Sequence, residues 1–297
     1  MPVIQDQVGL SIDRVVLATD FSPVSEAATP YAKGLARRFS SGLTLAHVVD
    51  LSVATRSEDA LVGFELEHLR SSSAENLERL LQRMGDEGVR ATAQTVEAHH
   101  PAAAIVRLAE ELKADLIVMG TQARQGLAKM ILGSCAEGVI RHAHCPVLTV
   151  GPKAKAPAAG GLCFNSILFA TDLDGNAAHH ASVALKFAQD SMAKIYFCHV
   201  RRPGDEDAFK ARALREEFER SLLKLIPNSS YEWCDPQVVV EDGPAAVKLL
   251  EVAGAKKVDL IVLGAKRSFS WFTNLKSGVV GQVIAGAECP VMTLCGD

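Results

Sequence analysis

The residues best suited to chemistry in this chain cluster in one stretch, Gly120–Cys135, "GTQARQGLAKMILGSC". An apolar run ends at Gly120, and Gly133-Ser134 follow a basic segment that carries Arg124 and Lys129. Glycine at a strand end lets a ligand approach the backbone closely, because no Cβ intervenes. Gly133-Ser134 would open a helix, whose free N–H groups and positive dipole end attract anionic oxygens. The Ser134 hydroxyl adds a further donor. Asp20 closes the run "RVVLATD" and could accept hydrogen bonds from a sugar if the fold brings it to the same crevice. Together these residue types suit a nucleotide. Glycine spacing alone fits equally well a strand–loop–helix turn that serves only backbone geometry. Asp20 can also serve as a helix N-cap while it contacts a ligand, and for its counterpart Asp172 the cap is the favoured reading.

The elements that must position these residues come in two copies. "RVVLATDFS" at 14–22 resembles "SILFATDLD" at 166–174, and "HCPVLTVG" resembles "ECPVMTLCG" near the two ends. Asp20 and Asp172 are separated by the same interval as His47 and His199, so the chain is a tandem duplication rather than a solenoid. The Pro-, Gly- and Ala-rich "GPKAKAPAAGG" at 151–161 marks the junction. We therefore expect domains at 1–152 and 164–297 with a linker at 153–163. In the first copy, strands are expected near 14–19, 43–49, 91–97, 115–119 and 146–150, alternating with amphipathic helices. Runs such as "VVLATD" and "DLIVMG" are apolar on both faces, as a parallel strand covered on both sides must be. Ser22-Pro23 reads as a helix start, and Pro30 is expected to interrupt that helix. The segment 57–84 has helical periodicity, with Ser73 the polar gap in its apolar stripe. The expected class is α/β: two tandem doubly wound parallel five-stranded sheets. In such sheets a ligand sits beyond the carboxyl ends of the strands where strand order reverses, which would bring Asp20 and Gly120 to one crevice.

Bulk properties narrow the function further. The 297 residues are 48% hydrophobic and 22% charged, with a net charge of −4, so no global basic field argues for nucleic acid or an anionic membrane surface. No apolar run reaches the length of a membrane helix, and the amino-terminal residues lack the pattern of a signal peptide. Seven cysteines in irregular spacing, without a CxxC, read as reduced thiols in a cytoplasmic protein. His142, His144 and Cys145 form an H-x-H-C cluster for which a helix end is a better account than a metal. His99-His100 and His179-His180 are expected to be exposed, and His47 and His199 to be hydrogen-bonded within strands. No triad or paired carboxylate emerges from the spacing, so an enzyme is not the expected reading.

These residues resemble a known family. Nucleotide-binding universal stress proteins carry G-x2-G-x9-G-[ST] after the fourth strand. Gly120, Gly133 and Ser134 follow that pattern, with Ala123 at the second glycine, while "ATDFS" and "HVV" look like the family's first and second strand ends. The resemblance implies a Rossmann-like, adenine nucleotide alpha-hydrolase-like fold and an ATP site, with Mg²⁺ accompanying the nucleotide. By position, Ala18, Thr19 and Asp20 would line ribose and adenine, and Val48 would touch adenine. Met119 and Gly120 would lie beside the ribose, and Gly133, Ser134 and Cys135 would hold phosphates. If the Ala123 position needs positive φ, alanine there costs about 1 kcal/mol; if it needs only a small side chain, the site survives. The second copy keeps Gly264 but has Arg267 at the second glycine and Ser277-Gly278 at the third, with Phe269, Trp271 and Phe272 between. Weak or absent nucleotide binding is expected there. The implied function is a stress-response regulatory module whose domains pair through their fifth strands, near 146–150 and 291–295, and which self-associates as a homodimer. A nucleotide-free interaction scaffold of the same family, or a slow ATPase, are the alternatives.

Overall fold

The computed structural model describes residues 11–52, 61–121, 132–157, 161–202, 204, 207–265 and 278–295. In the first half, strands β1 (Arg14–Ala18), β2 (Gly42–Asp50), β3 (Ala91–Ala98), β4 (Leu116–Gly120) and β5 (Val147–Val150) alternate with helices. Those helices are α1 (Pro23–Glu26), α2 (Thr29–Phe39), α3 (Leu61–Asp86), α4 (Pro101–Glu111) and α5 (Ser134–His142). The second half repeats the plan with β6 (Ser166–Ala170), β7 (Lys194–Arg201), β8 (Asp235–Asp242), β9 (Leu260–Ala265) and β10 (Val291–Cys295). Its helices are α6 (Ala177–Ser191), α7 (Ala208–Leu223), α8 (Ala245–Ala255) and α9 (Val279–Gly286).

The strands run β3-β2-β1-β4-β5-β10-β9-β6-β7-β8 in one sheet. Every pairing within a half is parallel, as at β1–β2 and β6–β7. The halves meet where β5 and β10 pair antiparallel, with Leu148 beside Met292. The two expected five-stranded sheets are thus fused edge to edge through their fifth strands. Val15, Val16 and Leu17 of β1 are almost wholly enclosed, because helices cover both faces of a parallel sheet. One apolar layer packs α2, α3, α6 and α7 on the sheet through residues such as Leu35, Leu80, Ala184 and Leu222. The other packs α4, α5, α8 and α9 through Ile105, Val139, Leu249 and Val283. Each layer is continuous across the two halves.

Local signals explain the element boundaries. The Ser22 hydroxyl caps α1 by accepting from the Ser25 N–H, and Pro30 stands in the first turn of α2. Proline cannot continue a helix from the preceding turn, so the chain breaks at Ala27-Ala28 and restarts. The second half has no proline at this point, and α6 is one unbroken helix. The duplication is also written in the backbone. Left-handed residues recur at equivalent places: Phe21 with Leu173, Ser40 with Met192, and Lys113 with Lys257.

The dyad relating the halves passes near Arg38 and Asp190, which occupy equivalent positions 152 residues apart. In a pair of identical domains this position would face its own copy. Here Arg38 Nε donates to the Asp190 carboxylate, and Arg38 Nη2 donates to the Asp190 carbonyl at 2.7 Å. Divergence after duplication has placed opposite charges where symmetry would oppose like ones. Reversing either charge, Arg38→Asp or Asp190→Arg, is expected to lower the unfolding free energy by about 1 kcal/mol, the scale of a part-exposed pair. The double reversal should recover most of that loss in a urea-unfolding cycle.

Candidate functional site

Strand order reverses between β1 and β4, which lie side by side. A cavity of about 410 Å³ opens at their carboxyl ends, where doubly wound sheets accept ligands. Its walls include Ala18, Thr19, Asp20, Val48, Met119, Gly120, Gly133, Ser134 and Cys135, so these sequence-nominated residues come together in one place. Ala123 lies outside the described residues, as do Arg124 and Lys129. The volume is within the range of small-molecule pockets.

A short hydrogen-bond network shapes the β1 end. The Phe21 N–H donates to Thr19 Oγ1 at 3.0 Å, and the Ser22 N–H donates to Asp20 Oδ1 at 3.0 Å. Thr19 Oγ1 also lies 3.1 Å from Ser25 Oγ. These bonds hold Phe21 in the left-handed region at φ 59°, a costly conformation for a bulky residue. The same tight turn directs the Asp20 carboxylate into the cavity wall. Burial tends to raise the Asp20 carboxyl, but hydrogen bonds from Ser22 and Ser25 outweigh it and hold it below the usual carboxylate range. Asp20 is therefore an ionised acceptor at neutral pH. His47 anchors this corner: its Nδ1–H donates to the Thr19 carbonyl at 2.8 Å, and its Nε2 accepts from the Ser73 hydroxyl at 3.0 Å. That bond accounts for Ser73, the polar gap in the apolar stripe of α3.

Opposite Asp20, α5 begins. Gly133 is its N-cap in extended conformation and supplies no side-chain cap, so the first-turn N–H groups have no side-chain acceptor of the kind Ser22 gives α1. The Gly133 N–H itself donates to Thr121 Oγ1 at 3.3 Å. Cys135 stays a neutral thiol, pushed up to about 11 by burial and by the nearby Asp20 and Asp50 charges.

Gly120 has a different reason for being glycine than the one its sequence context suggests. A Cβ at this position would collide with the Val24 carbonyl of α1. The missing side chain lets α1 lie across the strand end, and α1 supplies Ser22, Val24 and Ser25 to the cavity wall. Sequence reasoning missed these three, as well as Thr121 and the apolar wall of Ala46, Pro101, Ile105, Leu132 and Ala136. Ser22-Pro23 marked a helix start, but nothing local showed that the helix folds back over β4.

The second half keeps the plan without the space. His199 Nδ1–H donates to the Thr171 carbonyl at 2.9 Å, as His47 does to Thr19, and the His199 ring stacks on Phe218. The crevice lined by Asp172, Gly264 and Val280 encloses only about 80 Å³. Helix α9 is capped by Gly278, which stands where α5 begins at Ser134, and Val279-Val280 replace Cys135-Ala136. Arg267, Phe269, Trp271, Phe272 and Ser277 lie outside the described residues. The expectation of two exposed histidines at 179–180 is corrected: His179 is exposed, but His180 is 1% exposed. Its ring packs against Gly264, where α1 backbone stands in the first half. His180 Nε2 has no partner among the described residues.

The H-x-H-C cluster is dispersed into separate bonds. His142 Nδ1–H donates to the Gly138 carbonyl at 2.9 Å, and His144 pairs with Glu110. Among the described residues no group of three metal-ligating side chains is placed to hold an ion.

Fold and site define a class: paired doubly wound α/β units with a polar crevice at the strand-order reversal of the first. Comparison with known proteins agrees. The sequence pattern of the universal stress protein family matches residues 11–151 and 164–294, so the chain belongs to that family, in its tandem two-domain form. A universal stress protein of Methanocaldococcus jannaschii is 40% identical over 146 residues, covering 48% of this chain and 84% of that protein. A Mycobacterium tuberculosis member is 25% identical over 94% of this chain and 95% of its own length. A universal stress protein structure from Archaeoglobus fulgidus superposes with a TM-score of 0.73 at 18% identity, covering 96% of this chain and 97% of that one.

Two outcomes follow from this geometry. Gly120→Ala should lower the unfolding free energy by about 1–3 kcal/mol, the range of an overpacked core, as read by urea denaturation. Burial lowers the His180 pKa below its usual 6.5, so the unfolded chain takes up this proton first as pH falls. Stability contributed by neutral His180 is full above about 6.5 and is lost as pH falls toward the folded value. The urea midpoint of His180→Leu should therefore decline less between neutral and mildly acid pH than that of the parent. Equal slopes would contradict this assignment.

Proposed function

We propose that the first domain binds an adenine nucleotide, ATP with Mg²⁺ on its phosphates, and that the protein acts as a stress-response regulatory module. One observation carries this reading: an ionised carboxylate, Asp20, and the start of α5, whose N-cap Gly133 offers no side-chain acceptor, face a single cavity. Asp20 would accept from ribose hydroxyls, and Ala46, Val48 and Ile105 offer the adenine an apolar slot. The N–H groups of Ser134, Cys135 and Ala136 would receive phosphate oxygens along the helix dipole. Among the described residues no cluster of acids stands ready to hold Mg²⁺, which would arrive on the phosphates.

The second domain, with its smaller crevice, contributes structure rather than a second nucleotide site. Occupancy of the first site would bias a conformational or oligomeric equilibrium, since a ligand shifts a population by its preference for one state. Further self-association into a homodimer belongs to the same reading. So does a cytoplasmic location, which thiols outside any disulfide at Cys135, Cys163, Cys198, Cys234 and Cys289 suit.

The test is to dialyse purified protein, denature it and chromatograph the supernatant, alongside thermal unfolding with Mg-ATP. Adenine nucleotide should be released, and saturating Mg-ATP should stabilise the fold by about 2.7 kcal/mol at a hundredfold excess over Kd. Asp20→Ala should weaken binding by about 1.5–3 kcal/mol, the worth of hydrogen bonds to a charged group. No released nucleotide together with no thermal shift would refute the proposal.

A further inference from the structure

We propose that two copies of this chain associate by antiparallel pairing of their β3 strands, about a two-fold axis at Gln94. This rests on the self-association proposed above and specifies its surface. The ten-stranded sheet has two edges, β3 and β8. A strand at a sheet edge presents a row of unpaired N–H and C=O groups, and proteins usually guard such rows.

The β8 edge is guarded. The N–H groups of Asp235 and Gly243 donate toward β7, so odd-numbered residues face inward and Pro236, Val238, Val240 and Asp242 face out. Pro236 has no N–H to offer, and proline in a sheet belongs on such an outward edge. The outward carbonyl of Val240 is taken by Arg215 Nη1 at 2.7 Å.

The β3 edge has neither device. The carbonyls of Arg90 and Ala98 accept from β2, and the register with β2 is unbroken from Ala91 to Ala98. Even-numbered residues therefore face β2, while the backbone groups of Ala91, Ala93, Thr95 and Glu97 face out. No hydrogen bond to these outward groups is found among the described residues. The strand contains no proline and no lysine. Its one charged residue, Glu97, is neutralised by Arg70, which donates from Nε and Nη2 at 2.7 Å each.

The contrast selects the partner. Head-to-tail pairing of β3 with the β8 of another copy would propagate an open filament, and Pro236 and Arg215 oppose it. Pairing of β3 with β3 closes after two copies. With the axis at Gln94, Ala91 falls opposite Glu97 of the second copy and Ala93 opposite Thr95 of the second copy. Each such pair can exchange two main-chain hydrogen bonds. Glu97 meets an alanine, so like charges are not opposed across the seam. A single strand pairing buries little area for a stable complex, so the dimer should depend on concentration.

Sedimentation velocity of the full chain over a wide concentration range tests this, with two variants. Thr95→Pro removes one outward donor and spares the β2–β3 ladder, while Thr95→Lys keeps every backbone group and sets a charge on the edge. The parent should dimerise, and each folded variant should show a dissociation constant raised at least about tenfold. Thr95→Lys decides the matter if Thr95→Pro fails to fold. A parent that stays monomeric throughout overturns both the self-association and its surface. A dimeric parent matched by an equally dimeric Thr95→Lys overturns the β3 surface alone.

Discussion

The antiparallel pairing of β5 with β10 is the contact on which the rest of this molecule depends. Each half is a parallel sheet whose last strand is short and apolar, "VLTV" in β5 and "VMTLC" in β10. Alone, either half would leave that strand as an open edge. Joined, Val147, Leu148, Val291 and Met292 are completely enclosed. The seam also encloses two hydroxyls: Thr293 Oγ1 donates to the Val147 carbonyl at 3.3 Å, while Thr149 Oγ1 has no partner among the described residues. The continuous helix layers on both faces follow from this joining, because side chains of both halves then pack into the same two cores.

Duplication then freed the halves to differ. At the dyad, Arg38 meets Asp190, a pairing that two identical domains could not make. At the strand ends the divergence is sterically larger. In the first half, Pro30 splits the helix so that α1 crosses Gly120 and lends Ser22, Val24 and Ser25 to an open crevice. In the second, an unbroken α6 sets His180 against Gly264, and little space is left. The same glycine position thus accommodates backbone in one domain and an imidazole in the other. One crevice stays open, and its counterpart is nearly filled.

Much of this was legible in the sequence. Two-faced apolar runs alternating with helical patterns specify a parallel sheet through burial alone, and the repeated "ATD" and "HCP" or "ECP" segments placed corresponding strands. Once the strand order is known, Asp20, Gly120 and Gly133 have to converge, because all lie at carboxyl ends of strands beside the reversal or at the helix start that follows. What stayed hidden depends on contacts between distant segments. Val24 against Gly120, His180 against Gly264 and Ser73 against His47 are matters of how helices lie on strands. A local pattern carries no trace of that choice. The burial of His180 was misread for this reason: beside His179 it resembles an exposed pair, yet α6 turns only one of the two outward.

The central claim is that one of the two domains keeps a nucleotide site. Equilibrium dialysis of labelled Mg-ATP against the intact chain measures it most directly, by counting sites. The account predicts one nucleotide bound per chain at saturation, and none of that binding surviving when Gly133→Asp sets a carboxylate at the start of α5. Two nucleotides per chain, saturable binding that persists in Gly133→Asp, or no binding at all would contradict it.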